Sequence, residues 1–194
     1  MVRRLLPICA LGALFSVGCV EVTDPVGDID KAEPNKELLG AWDCSNGHRW
    51  VIDRHDVKGN PKGLMRIRIF DQGGTIEKPD HTMWFFSTVV GKRTYTNLLM
   101  NDGGFADLST EGAYAKWTKL GGQYWVGFIT IKGDELTLDG GDTKAFNALM
   151  EKEKIGTVGN YYKTGPGWMA KYLEKPDAIF DGTNKMEFSR VKKK

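Results

Sequence analysis

The stretch Met65-Arg66-Ile67-Arg68-Ile69-Phe70 carries an apolar side chain at every second position, with arginine between them. Side chains of a β-strand point alternately to opposite faces, so Met65, Ile67 and Ile69 share one face and the two arginines share the other. This alternation predicts a strand with one face against a core and one face toward water.

The sequence on both sides of this stretch continues in short apolar or alternating runs that Gly, Asn and Asp separate. The pairs at 46–47, 91–92, 121–122 and 133–134 tolerate the positive φ of tight hairpin turns. We predict strands at 38–45, 48–55, 63–70, 82–90, 93–100, 112–119, 123–132 and 134–139, with a last strand at 185–191. This series predicts a mainly-β fold, an antiparallel barrel of about eight strands.

Two of the predicted strands are apolar on both faces, at 83–86 and at 124–126, so another part of the chain must cover their outer side. The C-terminal third offers suitable segments. Asp142 is a good N-cap for a helix that runs to about residue 154, and a shorter helix is expected at 166–175. We therefore expect one or two helices to pack on the barrel before the last strand.

The first eighteen residues have the layout of a secretory signal, with Arg3 and Arg4 followed by a short apolar run and small residues. The run is shorter than the roughly 20 apolar residues of a membrane-spanning helix. Ser16-Val17-Gly18-Cys19 resembles the bacterial lipobox, whose cysteine receives a diacylglyceryl group before cleavage. The resemblance implies a membrane-anchored mature chain that begins at a lipidated Cys19; ordinary signal cleavage with a spare cysteine is the alternative.

Residues 20–37 are rich in acidic residues and contain two prolines, with almost no apolar pattern. Such a composition favours a disordered linker, and we predict that 19–37 form a lipidated tether to a single domain at 38–191. A flexible linker of this length has a root-mean-square reach of about 20–25 Å. Residues 192–194 form a short basic tail.

The charge and cysteine content limit the possible functions. Loss of Arg3 and Arg4 with the signal leaves 25 basic residues against 25 acidic ones. This balance argues against a nucleic-acid partner, which requires a basic excess. With Cys9 removed and Cys19 acylated, Cys44 is left alone, and we expect it to pack as a small apolar side chain.

Gly40-Ala41-Trp42 opens the first predicted strand, where the lipocalins carry a Gly-x-Trp motif. Arg190 lies in the last strand, where lipocalins often keep an arginine that stacks on this tryptophan. The chain thus resembles a lipocalin-like (calycin-like) protein, although it lacks their Thr-Asp-Tyr motif and a disulfide. The resemblance implies that Gly40, Trp42 and Arg190 close the barrel.

A broader resemblance runs from about residue 38 to 191. Three segments carry it: Val90–Asn97 (VGKRTYTN), Gly133–Leu138 (GDELTL), and Tyr172-Leu173 with Ala178-Ile179-Phe180. They are similar to a set of uncharacterised bacterial envelope lipoproteins. This similarity implies an address in the cell envelope and no established activity.

The sequence offers no catalytic or metal-binding signature, and no cofactor is expected. His48 and His55 are seven residues apart, so on one regular strand they face opposite sides and cannot share a metal ion. Asp139-Gly140-Gly141-Asp142 has too few ligands for calcium and is interpreted as a turn followed by a helix cap. We therefore expect a protein that is not an enzyme.

The aromatic residues are the unusual feature of this sequence and its best candidates for ligand binding. Trp84, Phe86, Tyr95 and Trp125 are the predicted ligand-binding residues, because they could line an apolar cavity in the barrel. The favoured function is a lipid-anchored lipoprotein that binds a small apolar or amphipathic molecule. A structural or protein-interaction module with a filled core is the alternative. Val20 follows Cys19 where some enteric bacteria use aspartate for inner-membrane retention, which favours the outer membrane.

Overall fold

A computed structural model describes residues 20–71, 78–101, 104–165, 167–173 and 179–192. The strands are β1 Val20–Val22, β2 Gly40–Cys44, β3 Arg49–Arg54, β4 Met65–Phe70, β5 His81–Val90, β6 Arg93–Asn101, β7 Gly104–Phe105, β8 Gln123–Lys132, β9 Glu135–Asp139, β10 Thr157–Val158, β11 Tyr161–Tyr162 and β12 Lys185–Arg190. The helices are α1 Ala113–Lys119, α2 Thr143–Lys152 and α3 Trp168–Leu173, with a short 3₁₀ helix at Ile29–Lys31. The predicted signal and Cys19 lie outside the described residues.

Eight strands form a closed antiparallel barrel, which confirms the predicted fold class. Around the barrel the order is β8, β9, β12, β2, β3, β4, β5 and β6, and β6 pairs with β8 to close the ring. All of these pairings are antiparallel. The last strand, β12, lies between β9 and β2, so the C-terminal part of the described chain completes the barrel.

The predicted strand at 112–119 is wrong, because this segment forms helix α1. Gly112 enters it with φ 79°, a conformation that glycine adopts without strain. Alanine and lysine are strong helix formers, and helical spacing brings Tyr114 and Trp117 into a stacked pair 5.8 Å apart. The eighth barrel strand is therefore β12 and not this segment.

Helix α2 confirms the prediction made from Asp142. The Asp142 carboxylate accepts hydrogen bonds from the backbone N–H groups of Lys144 and Ala145, at 2.8 and 3.2 Å. The helix buries Phe146 and Met150. The shorter helix, predicted at 166–175, is observed as α3; residues 166, 174 and 175 lie outside the described part of the chain.

The prediction of a disordered tether is wrong for the described residues 20–37. Strand β1 pairs with β8, Val20 opposite Val126, and it also pairs in parallel with β11. Val22 and Val26 are fully buried. These few apolar residues are widely spaced among charged ones, so the segment has the composition of a linker although each valine fills a place on the barrel. The folded body therefore includes described residues that precede the predicted domain boundary at 38, from Val20 on.

The side chains form two separate apolar cores. The interior core lies inside the barrel and receives residues from all eight strands, namely Leu38, Trp42, Cys44, Trp50, Ile52, Met65, Ile67, Ile69, Met83, Phe85, Leu98, Trp125, Ile129, Leu136, Leu138, Met186 and Phe188. The outer core lies between the barrel and its covering segments, and includes Val20, Val22, Val26, Ile29, Trp84, Phe86, Tyr95, Leu99, Tyr124, Val126, Phe146, Met150, Met169, Leu173, Ile179 and Phe180. This arrangement explains why two strands are apolar on both faces.

Candidate functional site

The structure does not bring the four predicted ligand-binding aromatics together in one cavity. Trp84, Phe86 and Tyr95 belong to the outer core, whereas Trp125 points into the barrel. Tyr95 donates its hydroxyl to the carbonyl oxygen of Leu173 at 3.2 Å, which fixes it under α3. Among these four, Trp84 lines a surface groove, and that groove is the candidate site.

The groove lies beside β4 and β5 and has a volume of about 410 Å³. This value is within the range of ordinary small-molecule sites, about 300–1,000 Å³. The lining residues are Arg66, Thr82, Trp84, Phe105, Ala106, Asp107 and Ser109. We call this feature the Trp84 groove. It combines two aromatic rings with a cation, a carboxylate and hydroxyl groups.

Strand register places the central residues of the Trp84 groove. Arg66 lies between Asp53 of β3 and Trp84 of β5, because each is its direct cross-strand partner. Residues directly opposite each other in an antiparallel pair have Cβ atoms about 4.5–5.5 Å apart. The three side chains thus form one row across three strands, on the outer face of the barrel.

Trp84 is fully buried, and its ring packs at 5.6 Å from the ring of half-buried His55. Among the described residues, no acceptor lies within hydrogen-bonding distance of its indole Nε1. A buried donor without an acceptor costs about 1–3 kcal/mol. The groove is therefore lined by a residue whose buried N–H group has no acceptor among the described residues.

Two guanidinium groups share one carboxylate next to Trp84. Arg66 donates from Nε and Nη2 to Asp53 at 2.9 and 3.1 Å, and Arg68 donates from Nη2 to the same carboxylate at 2.7 Å. All three side chains are largely buried, at 21%, 27% and 27% exposure. One carboxylate neutralises only one guanidinium, so this triad carries a net positive charge in partly desolvated surroundings.

The opposite wall of the Trp84 groove is the segment Gly104–Ser109. Phe105 of β7 pairs with Met100 of β6, and the N–H of Ala106 donates to the carbonyl oxygen of Leu99 at 2.9 Å. The side chain of Asn60 donates to the carbonyl oxygen of Leu108 at 3.2 Å. Backbone hydrogen bonds therefore hold this wall against the barrel.

The barrel interior is packed with large side chains. The rings of Trp50 and Phe188 lie 4.6 Å apart, and Trp125 packs in the same interior core. Within the described residues, the indole N–H groups of Trp50 and Trp125 also have no acceptor. These two tryptophans lie in the interior core, whereas Trp84 borders a groove that is open at the surface.

The three residues implied by the lipocalin resemblance lie together at the junction of β2 and β12. Arg190 is the cross-strand partner of Trp42, and its guanidinium carbon lies 4.0 Å from the ring centroid. Arg190 also donates to the carbonyl oxygens of Leu39 and Glu37, at 2.9 and 2.6 Å. Gly40 has φ 128°, and a Cβ there would lie 3.1 Å from Arg190 Nη1. The positive φ thus favours glycine here, and a larger residue would also require a small shift of the Arg190 side chain.

A second groove, of about 660 Å³, borders helix α1 on the far side of the 104–112 segment. Trp117 contributes to it but donates its indole N–H to the carbonyl oxygen of Met100 at 2.8 Å. Leu120 at its rim is 77% exposed. This groove lacks the unpaired donor of the Trp84 groove and carries an exposed apolar side chain instead.

The other residues singled out in the sequence have structural contacts. The Asp139 carboxylate accepts from the N–H groups of Gly141 and Gly182, both at 2.9 Å, and burial raises its pKa. His48 Nδ1 lies 2.7 Å from an oxygen of Asp71. Cys44 is buried and unpaired by disulfide, and burial raises the pKa of its thiol. This confirms the packing predicted for Cys44.

Within the described residues, no cluster of three or more His, Cys, Asp or Glu side chains could hold a metal ion. The helices in that same part of the chain are all too short or too polar to cross a bilayer.

Sequence reasoning missed Arg66 as a site residue and treated both β4 arginines only as a solvent-facing set. A signal for the cluster of two arginines and one aspartate was present in the sequence. Arg66 and Arg68 lie on one face of a predicted strand, and the preceding predicted strand contains Asp53. The register that joins this pair to Trp84 is not visible in the sequence. Phe105 and Ser109 were missed for the same reason.

The fold therefore belongs to the class of closed, eight-stranded antiparallel β-barrels, with an added outer layer. Comparison of the chain with protein-family models, with curated proteins and with solved structures gives no match.

Proposed function

We propose that this chain is a lipid-anchored protein of the bacterial cell envelope with a lipocalin-like barrel, which binds a small amphipathic molecule without chemical conversion. The ligand has an apolar body and a head group that accepts hydrogen bonds, a carboxylate or phosphate. The observation that carries the proposal is the buried indole N–H of Trp84, which has no acceptor among the described residues and belongs to a side chain that lines the Trp84 groove.

The chemistry of the groove supports an accepting, anionic head group. An acceptor placed at Trp84 Nε1 removes the cost of the unpaired donor. Arg66 and Arg68 share the single carboxylate of Asp53, so a second anion beside Arg66 completes the charge balance. Charge-assisted hydrogen bonds to guanidinium are roughly twice as strong as neutral ones. Asp107 also lines the groove, and its negative charge disfavours a ligand with an anionic group at each end.

The apolar body has its own contacts. Phe105 and Ala106 face the groove from the β7 segment, opposite the ring of Trp84. Burial of apolar surface is favourable by about 25 cal/mol per Å². The interior of the barrel, by contrast, is filled with its own tryptophan and phenylalanine rings. The outer groove is therefore a better candidate site than the barrel interior.

The anchoring part of the proposal rests on the sequence pattern at residues 16–19. Strand β1 contains Val20, which follows the cysteine of the lipobox-like segment in the sequence. A cut before Cys19 thus removes no residue of the described body. Val20 in place of aspartate at this position supports transfer to the outer membrane.

The test uses the indole N–H signals in a two-dimensional ¹⁵N–¹H NMR spectrum of the mature chain. Dodecanoate, dodecyl phosphate and dodecanol serve as probes with the same apolar body and different heads. We expect the two anions to shift the Trp84 signal downfield and dodecanol to shift it little, because only the anions pair with Arg66. Trp84→Phe assigns the signal and should weaken binding.

Two controls isolate the site. Trp117 already donates to a backbone carbonyl, so its indole signal should not move. Arg66→Gln should weaken anion binding at least fivefold. Arg49→Gln is the control, because it breaks an arginine–aspartate pair with Asp43 on the same sheet that is exposed and outside the groove, and it should leave anion binding unchanged. The ligand proposal fails if no probe moves the Trp84 signal, or if both arginine variants weaken binding equally.

A protein-interaction module is the second candidate, and exposed Leu120 at the rim of the α1 groove favours it. A photo-crosslinking residue at position 120 should capture a discrete envelope protein in cells. The same residue at position 89, where Val89 is 65% exposed on the β5–β6 hairpin, is the matched control. Equal capture from both positions would argue against a specific surface at α1.

A further inference from the structure

We propose that the lipid anchor holds the folded body directly on the phospholipid head groups, without a flexible spacer, through the packing of β1 on the barrel. The inference rests on the acylation of Cys19 that the proposed function includes, and it adds which surface of the protein meets the membrane. Strand β1, together with the residues that follow it, carries the inference.

Strand β1 is hydrogen-bonded on both sides. Its residues Val20, Glu21 and Val22 pair with Val126, Trp125 and Tyr124 of the barrel strand β8. On its other side Val22 pairs with Tyr162 of β11, and the N–H of Thr23 donates to the carbonyl oxygen of Tyr162 at 3.0 Å. A strand held on both edges is a part of the sheet and not a linker.

Burial fixes the first residue of this strand. Val20 is fully buried, and its side chain lies beside a tight turn at Gly141, where a Cβ atom would come within 2.9 Å of Val20 Cγ2. Ile179 and Phe180 pack at the same turn, since they also lie within 3.4 Å of that Cβ position. Val20 is therefore held at a defined point, between the Gly141 turn and the 179–180 segment.

A buried amide holds the chain a few residues further along. The Asn97 side chain is fully buried and makes two hydrogen bonds to Val26, accepting from its N–H at 2.7 Å and donating to its carbonyl at 3.1 Å. Val26 itself is fully buried. Release of β1 alone therefore leaves the next segment attached, so slack between the anchor and the body stays small.

These contacts set the distance to the membrane. Cys19 is joined by one peptide bond to Val20, which lies beside the Gly141 turn, and consecutive Cα atoms are about 3.8 Å apart. A free linker over residues 20–37 would instead allow a reach of about 20–25 Å. The surface that meets the head groups is thus the side of the barrel around Phe128 and Thr130 of β8 and the 179–182 segment.

Charge does not explain this contact. The groove beside Phe180 has Lys132 and Lys185 on its walls, against Glu135, Asp139 and Asp181. A surface without a basic excess has no net attraction to anionic lipids, and salt screens the interactions of its single charges. The contact between the folded body and the head groups therefore depends on the covalent anchor and on β1. We expect the distance between them to be unchanged by salt.

Neutron reflectometry on supported bilayers of phosphatidylcholine and phosphatidylglycerol tests the inference with the full lipidated chain. We expect the protein layer to begin at the head groups at both low and high salt, about 50 mM and about 500 mM. Insertion of fifteen Gly and Ser residues between Cys19 and Val20 should add a hydrated layer of about 20 Å, the root-mean-square length of such a spacer. The same insert after exposed Gly59, in the β3–β4 loop, should add none.

Two further measurements separate this inference from the anchoring proposal. Mass analysis of the protein from its native host reads the acyl group on Cys19, and an unmodified thiol there would overturn the proposed anchoring. Hydrogen exchange of the mature Cys19→Ser chain reads β1 without any lipid. Exchange of the β1 amides within seconds, or a water layer of about 20 Å under the unmodified protein, would overturn the seating even if Cys19 is acylated.

Discussion

The interior core and the outer core of this barrel are built in different ways. Neighbouring residues of β5 illustrate the contrast, because Phe85 points into the barrel and Phe86 points out under the covering segments. The interior core draws on strands that follow one another along the chain as a meander. The outer core joins segments that lie far apart in sequence, such as Val22 of β1 and Phe146 of α2.

The difference shows which segments of this fold can detach without opening the barrel and which cannot. A full ring of hydrogen-bonded strands surrounds the interior core, so no single segment can leave without opening the barrel. The outer core is covered by β1, the 3₁₀ helix, α2 and α3. Both the candidate groove at Trp84 and strand β1 belong to this outer side. We therefore expect the outer layer to carry the function and the interior to carry the stability.

The strongest test of the contrast is the pair Phe85→Ala and Phe86→Ala. Both side chains are almost fully buried, at 1% and 0% exposure, so each change should lower the free energy of unfolding by about 3–5 kcal/mol. Urea denaturation measures this loss. Hydrogen exchange should separate the two, with the Phe85 variant exposing all barrel strands and the Phe86 variant exposing β1 and α2 first. Identical exchange patterns would show that the two cores act as one unit.

Asn97→Ala tests the attachment of the outer layer alone. It leaves the buried N–H and C=O of Val26 without partners, so we expect a loss of about 2–4 kcal/mol and faster exchange at residues 22–29. Asn60→Ala, which removes one half-buried bond to Leu108, is the control and should cost about 1 kcal/mol. A smaller loss for Asn97→Ala than for Asn60→Ala would contradict the role given to this amide.

Gly63→Ala addresses the contact between the outer layer and the β3–β4 loop. A Cβ at position 63 would clash with the backbone oxygen of Ala32, so the 3₁₀ segment must shift. We expect a loss of about 1–3 kcal/mol in thermal or urea unfolding. Gly156→Ala, with no heavy atom within 4 Å of the new methyl group, should stay within about 0.5 kcal/mol of the unmodified protein. Equal losses would show that the clash is relieved without cost.

The smallest expected effect is a pH dependence at Glu21. Burial against the barrel raises the pKa of this carboxyl, so the folded state holds its proton more tightly than the unfolded state. This contribution to stability is therefore lost as the pH rises from the ordinary glutamate pKa through the raised one. Glu21→Gln should remove that part of the slope in urea midpoints between about pH 4 and pH 8. An unchanged slope would mean that β1 is solvated at this position.

The interior core could be predicted from the sequence, and the outer core only in part. Strict alternation, as in Met65, Ile67 and Ile69, assigns a face without knowledge of any partner strand. Asp142 predicted α2, because an aspartate at a helix N-cap is a signal that needs no tertiary partner. The need for a cover over 83–86 and 124–126 was also readable, because a strand that is apolar on both faces cannot have one in water.

The sequence did not predict that residues 20–29 form part of the cover over the barrel, for a physical reason. Four apolar residues between 20 and 29 are too few to signal a packed segment by composition. Their known partners lie far along the chain, as Val126 does for Val20 and Asn97 for Val26. Segment 112–119 failed because a single buried residue, Trp117, carries no period. The Trp84 groove depends on the register of three strands, which tertiary packing sets.

Closure of the barrel by β12 has a consequence for the order of events during synthesis. Trp42 in β2 and Arg190 in β12 are cross-strand neighbours although most of the chain separates them. A polypeptide that leaves the ribosome from its N-terminus delivers β2 early and β12 late. Until residue 190 has emerged, β2 and β9 both present unpaired edges, which are prone to wrong association. Successful folding of this protein thus requires that the chain be completed before these open edges pair with other chains.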